Sequence, residues 1–77
     1  MITAPQCRAA RTLLGWSVAK LANASSVRES DIDDFELERR QPDSAALNAI
    51  QRVLENVGVI FRPHDEVQVR TEPDAVR

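Results

Sequence analysis

A chain of 77 residues holds one small domain, near the lower size at which a hydrophobic core folds unaided. Hydrophobic types at 43% and charged types at 29% mark a globular sequence and exclude a disordered one. One cysteine and one histidine exclude an internal disulfide and a structural zinc site. No apolar run approaches the roughly eighteen residues of a membrane span, and the start lacks the charged-then-apolar order of a signal peptide. The expectation is a cytoplasmic protein with no cofactor and no membrane partner. With aromatic residues at 4% and no tyrosine, its core must be built from Leu, Ile, Val and Ala.

The net charge of -2 is uninformative, but its distribution is not. Residues 1–28 carry Arg8, Arg11, Lys20 and Arg28 and no acid. Residues 29–38 carry Glu29, Asp31, Asp33, Asp34, Glu36 and Glu38 and no base. Beyond them six arginines balance six acids.

The spacing of Ala4, Cys7, Ala10 and Leu14 predicts a first helix, with Pro5 in its first turn and Gly15 as its stop. Ser17 can cap a second helix that turns Val18, Leu21 and Ala22 inward, kept short by the turn-like Asn23-Ala24-Ser25-Ser26. A third helix fits Arg28 to about Leu37, with Ile32 and Phe35 inward. Arg39-Arg40-Gln41-Pro42 reads as a loop, because Pro42 drives Gln41 out of helical geometry. Asp43 or Ser44 can cap a fourth helix with the stripe Leu47, Ile50, Val53, Leu54 and Val57, closed by Gly58. Val59-Ile60-Phe61 and Val67-Gln68-Val69 read as short strands around a turn at Pro63-His64-Asp65-Glu66. The division is 1–58 for the helical domain, 59–70 for a hairpin or strand extension and 71–77 for a disordered tail. Leu14, Leu21, Ile32, Phe35, Leu47, Ile50 and Leu54 are the expected core.

A helix, Gly15-Trp16-Ser17, a short helix, a tight turn at Ser25-Ser26-Val27 and a third helix form a helix-turn-helix order. Arg8-x-x-Arg11-x-Leu13-Leu14-Gly15-Trp16-Ser17, then Leu21-Ala22, Val27, Ile32, Phe35-Glu36, Pro42, Leu47, Leu54 and Gly58, resemble the Cro/repressor-like helix-turn-helix (XRE) family over residues 6–61. The resemblance implies a mainly α, lambda-repressor-like domain of about four helices, here with a C-terminal strand pair. It also implies a structural ion pair between Arg11 and Glu36, where a half-buried carboxylate takes the two parallel hydrogen bonds of a guanidinium.

In that family the third helix enters the major groove. Carried over position by position, the DNA-binding residues are Val18, Lys20, Arg28, Glu29, Ser30, Asp34, Arg39 and Arg40. Val18 stands where a glutamine is usual, and Glu29 and Asp34 stand where amides, hydroxyls or bases are usual. A carboxylate can accept from cytosine N4, yet four acids on one short helix repel a phosphate surface. Glu29 and Asp31 suit the positive end of a helix. Asp33 and Asp34 lie beyond it, and Glu29 with Asp33 is a repulsive pair one turn apart.

Two functions from different classes follow. The first is a small transcriptional regulator that binds DNA as a homodimer. The alternative is a helix-turn-helix scaffold that does not bind DNA. It would act as an antiactivator, antirepressor or adaptor, docking Glu29, Asp31, Asp33 and Asp34 on a basic protein surface. Cys7 reads as packing, Trp16 as a lid over the core and His64 as an exposed turn residue. The chain has no Ser-His-Asp set, no metal-ligand cluster and no glycine-rich phosphate loop, so an enzyme is not expected. The strand pair, too small to stand alone, is expected to lie on a second copy or, alternatively, on its own helices.

Overall fold

The computed structural model describes residues 2–69. They form α1 (Ala4–Leu14), α2 (Val18–Ser25), α3 (Glu29–Glu36), α4 (Ser44–Asn56), β1 (Val59–Phe61) and β2 (Val67–Val69). The protein is thus mainly helical, with one two-stranded antiparallel sheet among the described residues. The expected tail over 71–77, and position 70 at the end of the strand extension, lie outside the described residues. No helix among the described residues is long and apolar enough to cross a membrane.

Local chemistry sets the starts of α1, α2 and α4 and the end of α1. The Thr3 hydroxyl accepts from the Gln6 N–H while the Gln6 side chain accepts from the Thr3 N–H, a reciprocal cap that starts α1. Gly15 ends it at φ 71°, the left-handed geometry that glycine adopts without steric cost. Ser17 caps α2 through the Lys20 N–H, and Asp43 caps α4 through the Ala46 N–H.

Three details correct the sequence reading. Asn23, Ala24 and Ser25 belong to α2, because the buried Ser25 hydroxyl donates to the Leu21 carbonyl and lets the helix continue to its left-handed stop at Ser26. The third helix spans Glu29–Glu36, with Arg28 and Leu37 as its flanking caps. Val57, placed on the inward stripe of α4, is instead its exposed C-cap residue, since the helix has ended before its side chain can turn inward.

The core gathers Leu21, Ile32, Leu47, Ile50 and Leu54, all at most 1% exposed, with Phe35, Cys7 and Ala10. Leu14 is only half-buried, packed against the edge of this cluster because it is the last residue of α1. Ile2 and Ala4 join the core from the start of the described chain, and Val59 joins it from β1. The strands pair Val59 with Val69, Ile60 with Gln68 and Phe61 with Val67. β2 lies against α1 and β1 against α4 of the same chain, and Val59, Phe61, Val67 and Val69 pack on the helices. Gln6 fastens this hairpin by donating its side-chain amide to the Arg62 carbonyl, and Thr3 donates its hydroxyl to Asp65.

Leu47 touches the centre of this cluster at 1% exposure. Leu47→Ala is expected to cost about 2–5 kcal/mol. Urea melts measure it, and a loss below about half a kcal/mol would mean that α4 is not held by this side chain.

Candidate functional site

A polar site built inside the domain joins α1 to α3. Periodicity brings Cys7 and Arg11 to one face of α1, a turn apart, and Glu36 is the last residue of α3. The Arg11 guanidinium donates from Nε to Glu36 Oε2 at 2.8 Å and from Nη2 to Oε1 at 2.7 Å. Its remaining Nη1 donates to the Trp16 carbonyl at 2.9 Å, which fixes the chain just past Gly15. Cys7 donates its thiol to Glu36 Oε2 at 3.2 Å. The pair is withdrawn from water, with side chains 16% and 6% exposed for Arg11 and Glu36. The Glu36 hydrogen bond raises the Arg11 guanidinium further above its ordinary value. Burial, then the hydrogen bond to Glu36, push the Cys7 thiol far up from its ordinary 9.0, so it is a neutral donor and no nucleophile.

The site's carboxylate takes three hydrogen bonds, two from Arg11 and one from Cys7, and its thiol is inaccessible at 0% exposure. Among the described residues, no three His, Cys, Asp or Glu side chains are placed to hold a metal ion.

The outer face of α3 carries the other candidates. Glu29, Ser30 and Asp33 are exposed; Asp31 and Asp34 are half-buried. Two of the four acids have basic neighbours. Arg28 Nε lies 3.4 Å from Asp31 and Arg39 Nη1 lies 3.6 Å from Asp34. Both arginines are well solvated, at 83% and 67% exposure, so these pairs are weak and readily exchanged. Glu29 and Asp33 make no ion pair among the described residues. They stand one turn apart on the same face, a negative patch without a direct ion pair among the described residues.

The remaining positions separate from α3. Val18 is half-buried and packs against the core, so its side chain serves the fold. Lys20 is exposed and sits over the Trp16 ring, its ammonium 5.2 Å from the ring centroid. It makes no ion pair with any acid of α3. Trp16 packs half-buried against the core cluster. Arg39 and Arg40 line an open cleft of about 530 Å³ beside Thr3, Ala4 and Pro5 at the start of α1. His64 is exposed, with φ at 62°, in the turn between the strands.

Two polar devices escape a reading based on periodicity. The spacing Thr3-x-x-Gln6 is the signature of the reciprocal cap and is visible in the sequence. The Cys7–Glu36 hydrogen bond has no such signature, because it depends on how α1 and α3 are laid together. No protein-family model matches the chain, and no curated protein matches it significantly.

Three outcomes test this site. Glu36→Ala leaves a buried guanidinium and thiol without their acceptor and is expected to cost about 3–5 kcal/mol in urea melts. Arg11→Lys should lose a smaller but clear part, since an ammonium cannot reproduce the two-pronged contact. The Cys7 thiol is protonated in the folded chain and ionises near 9.0 when unfolded. Its contribution is therefore fully present below that value and is lost progressively as pH rises toward the raised folded value. Between pH 7 and 10 the protein should lose roughly 1–1.5 kcal/mol that Cys7→Ala does not lose, by melts of both proteins at each pH.

Proposed function

We propose that the chain is a small transcriptional regulator on a Cro/repressor-like helix-turn-helix scaffold and that it meets DNA with the start of α3. The observation that carries this reading is the α2–turn–α3 unit. Two eight-residue helices are joined by Ser26-Val27-Arg28 with Ser26 left-handed at φ 61°, and fully buried Leu21 and Ile32 hold them together. The first residues of α3, Glu29 and Ser30, stay open to solvent, as a groove-reading helix requires.

The electrostatics set how such binding works. Phosphate contact would fall to Arg28, Arg39, Arg40 and Lys20. Arg28 and Arg39 would exchange Asp31 and Asp34 for phosphate, an exchange with little cost for pairs this exposed. Glu29 could accept from cytosine N4, making the contact selective and not adhesive. Nonspecific affinity is then low.

A second reading is favoured by one observation: Glu29 and Asp33 form an exposed negative patch without basic partners among the described residues. On that reading α3 docks on a basic protein surface and DNA is not bound.

Fluorescence anisotropy with the DNA upstream of the protein's own coding region separates them. DNA binding should weaken steeply with salt, and Glu29→Gln/Asp33→Asn should raise nonspecific affinity roughly threefold to tenfold at about 50 mM salt. Absence of binding at that salt, with a basic partner that this double variant releases, would favour the second reading.

A further inference from the structure

Leu13 is 56% exposed, although it lies on α1 between core-facing Ala10 and half-buried Leu14. It ends a stripe, Pro5, Ala9, Leu13, in which each residue stands one turn beyond the last on the outer face of the helix. This stripe floors an open groove of about 510 Å³. One side is α1 itself, bearing Arg8; the other is Glu36 at the end of α3 with Glu38, two residues past it. Glu36 is consumed by Arg11 and Cys7. Arg8 and Glu38 make no ion pair among the described residues. The groove therefore has an apolar floor, a cation without an ion-pair partner there on one wall and such an anion on the other.

We infer that this groove is a homodimer surface, in which two copies lay their α1 helices against each other about a two-fold axis. The charge pattern identifies the partner. A two-fold contact is isologous: if Arg8 meets Glu38 of the second copy, then Glu38 meets Arg8 of that copy. A face with one charge of each sign across an apolar strip is complementary to itself. A basic or an acidic partner would leave one of the two opposed by a like charge. Ala9 at the middle of the stripe removes bulk where the two helices would cross, and Leu13 supplies the side chain that association would cover. The site lies on α1 and the segment that follows α3, apart from the exposed start of α3, so it stands independently of what the start of α3 binds.

Charge exchange between two variants tests this with the full chain. Arg8→Glu alone sets a new carboxylate against Glu38 of the second copy. Glu38→Arg alone sets a new guanidinium against Arg8 of the second copy. Each variant should therefore self-associate at least about tenfold more weakly than the parent. Both changes are on the surface and should leave circular dichroism unchanged, and also urea melts run at concentrations where the parent is monomeric. Mixed in equal amounts, the two variants restore both opposite-charge contacts and should form a heterodimer at the parent's strength. Sedimentation equilibrium at tens to hundreds of micromolar reads this out. The double variant R8E/E38R should dimerise like the parent. A parent chain that is monomeric throughout this range, or variants that dimerise as the parent does, would overturn the inference. So would a mixture no more associated than its components. A groove that instead takes a small apolar ligand or another protein gives the monomeric result.

Discussion

The bidentate contact between Arg11 and Glu36 is the constraint on which the arrangement of this domain depends. It fixes α1 against the last residue of α3, and through Nη1 it also fixes the backbone at Trp16, where the chain turns toward α2. One guanidinium thus sets three segments at once. A charge pair this far from water is stable only when its hydrogen bonds are complete. They are: both carboxylate oxygens are occupied, and no buried side-chain polar atom among the described residues lacks a partner. The site gives Cys7 a polar contact on an otherwise apolar face. Its thiol supplies the third hydrogen bond to the carboxylate while its methylene packs with Ala10 and the core.

Ile32 and Phe35 fill the inner face of α3, so Glu29 and Asp33 stand open to solvent while Asp31 and Asp34 are half-buried. Local arginines temper two of those acids, while Glu29 and Asp33 are left as a patch. In the fold, then, α3 has an inner face that is structural and complete and an outer face whose repulsive pair contributes nothing to stability.

Much of the scaffold is legible in the sequence. Gly15, Ser17 and Asp43 act as stop and caps because capping is a contact between residues at most four apart, and the strands Val59–Phe61 and Val67–Val69 follow from a two-residue alternation. The errors lie where tertiary context overrides local preference. Ser25 reads as turn chemistry, yet once buried its hydroxyl finds the Leu21 carbonyl and the residue stays helical. Val57 fits the apolar period of α4, yet the helix ends before the period can be used. Arg11 and Glu36 are paired through a family resemblance, and neither composition nor spacing would have paired them.

The sequence by itself determined the number, kind and order of the elements and most of the core, since helix periodicity, capping and strand alternation act over a few residues. The tertiary structure alone decided which charges are spent and which remain. Arg11 and Glu36 are 25 positions apart and Cys7 and Glu36 are 29 apart, so only the packing of α1 on α3 brings them together. The same packing opens the groove between Arg8 and Glu38, two residues that nothing in the linear order associates. Charges act through space, and the chain's order along its length does not encode their distances until the core has closed.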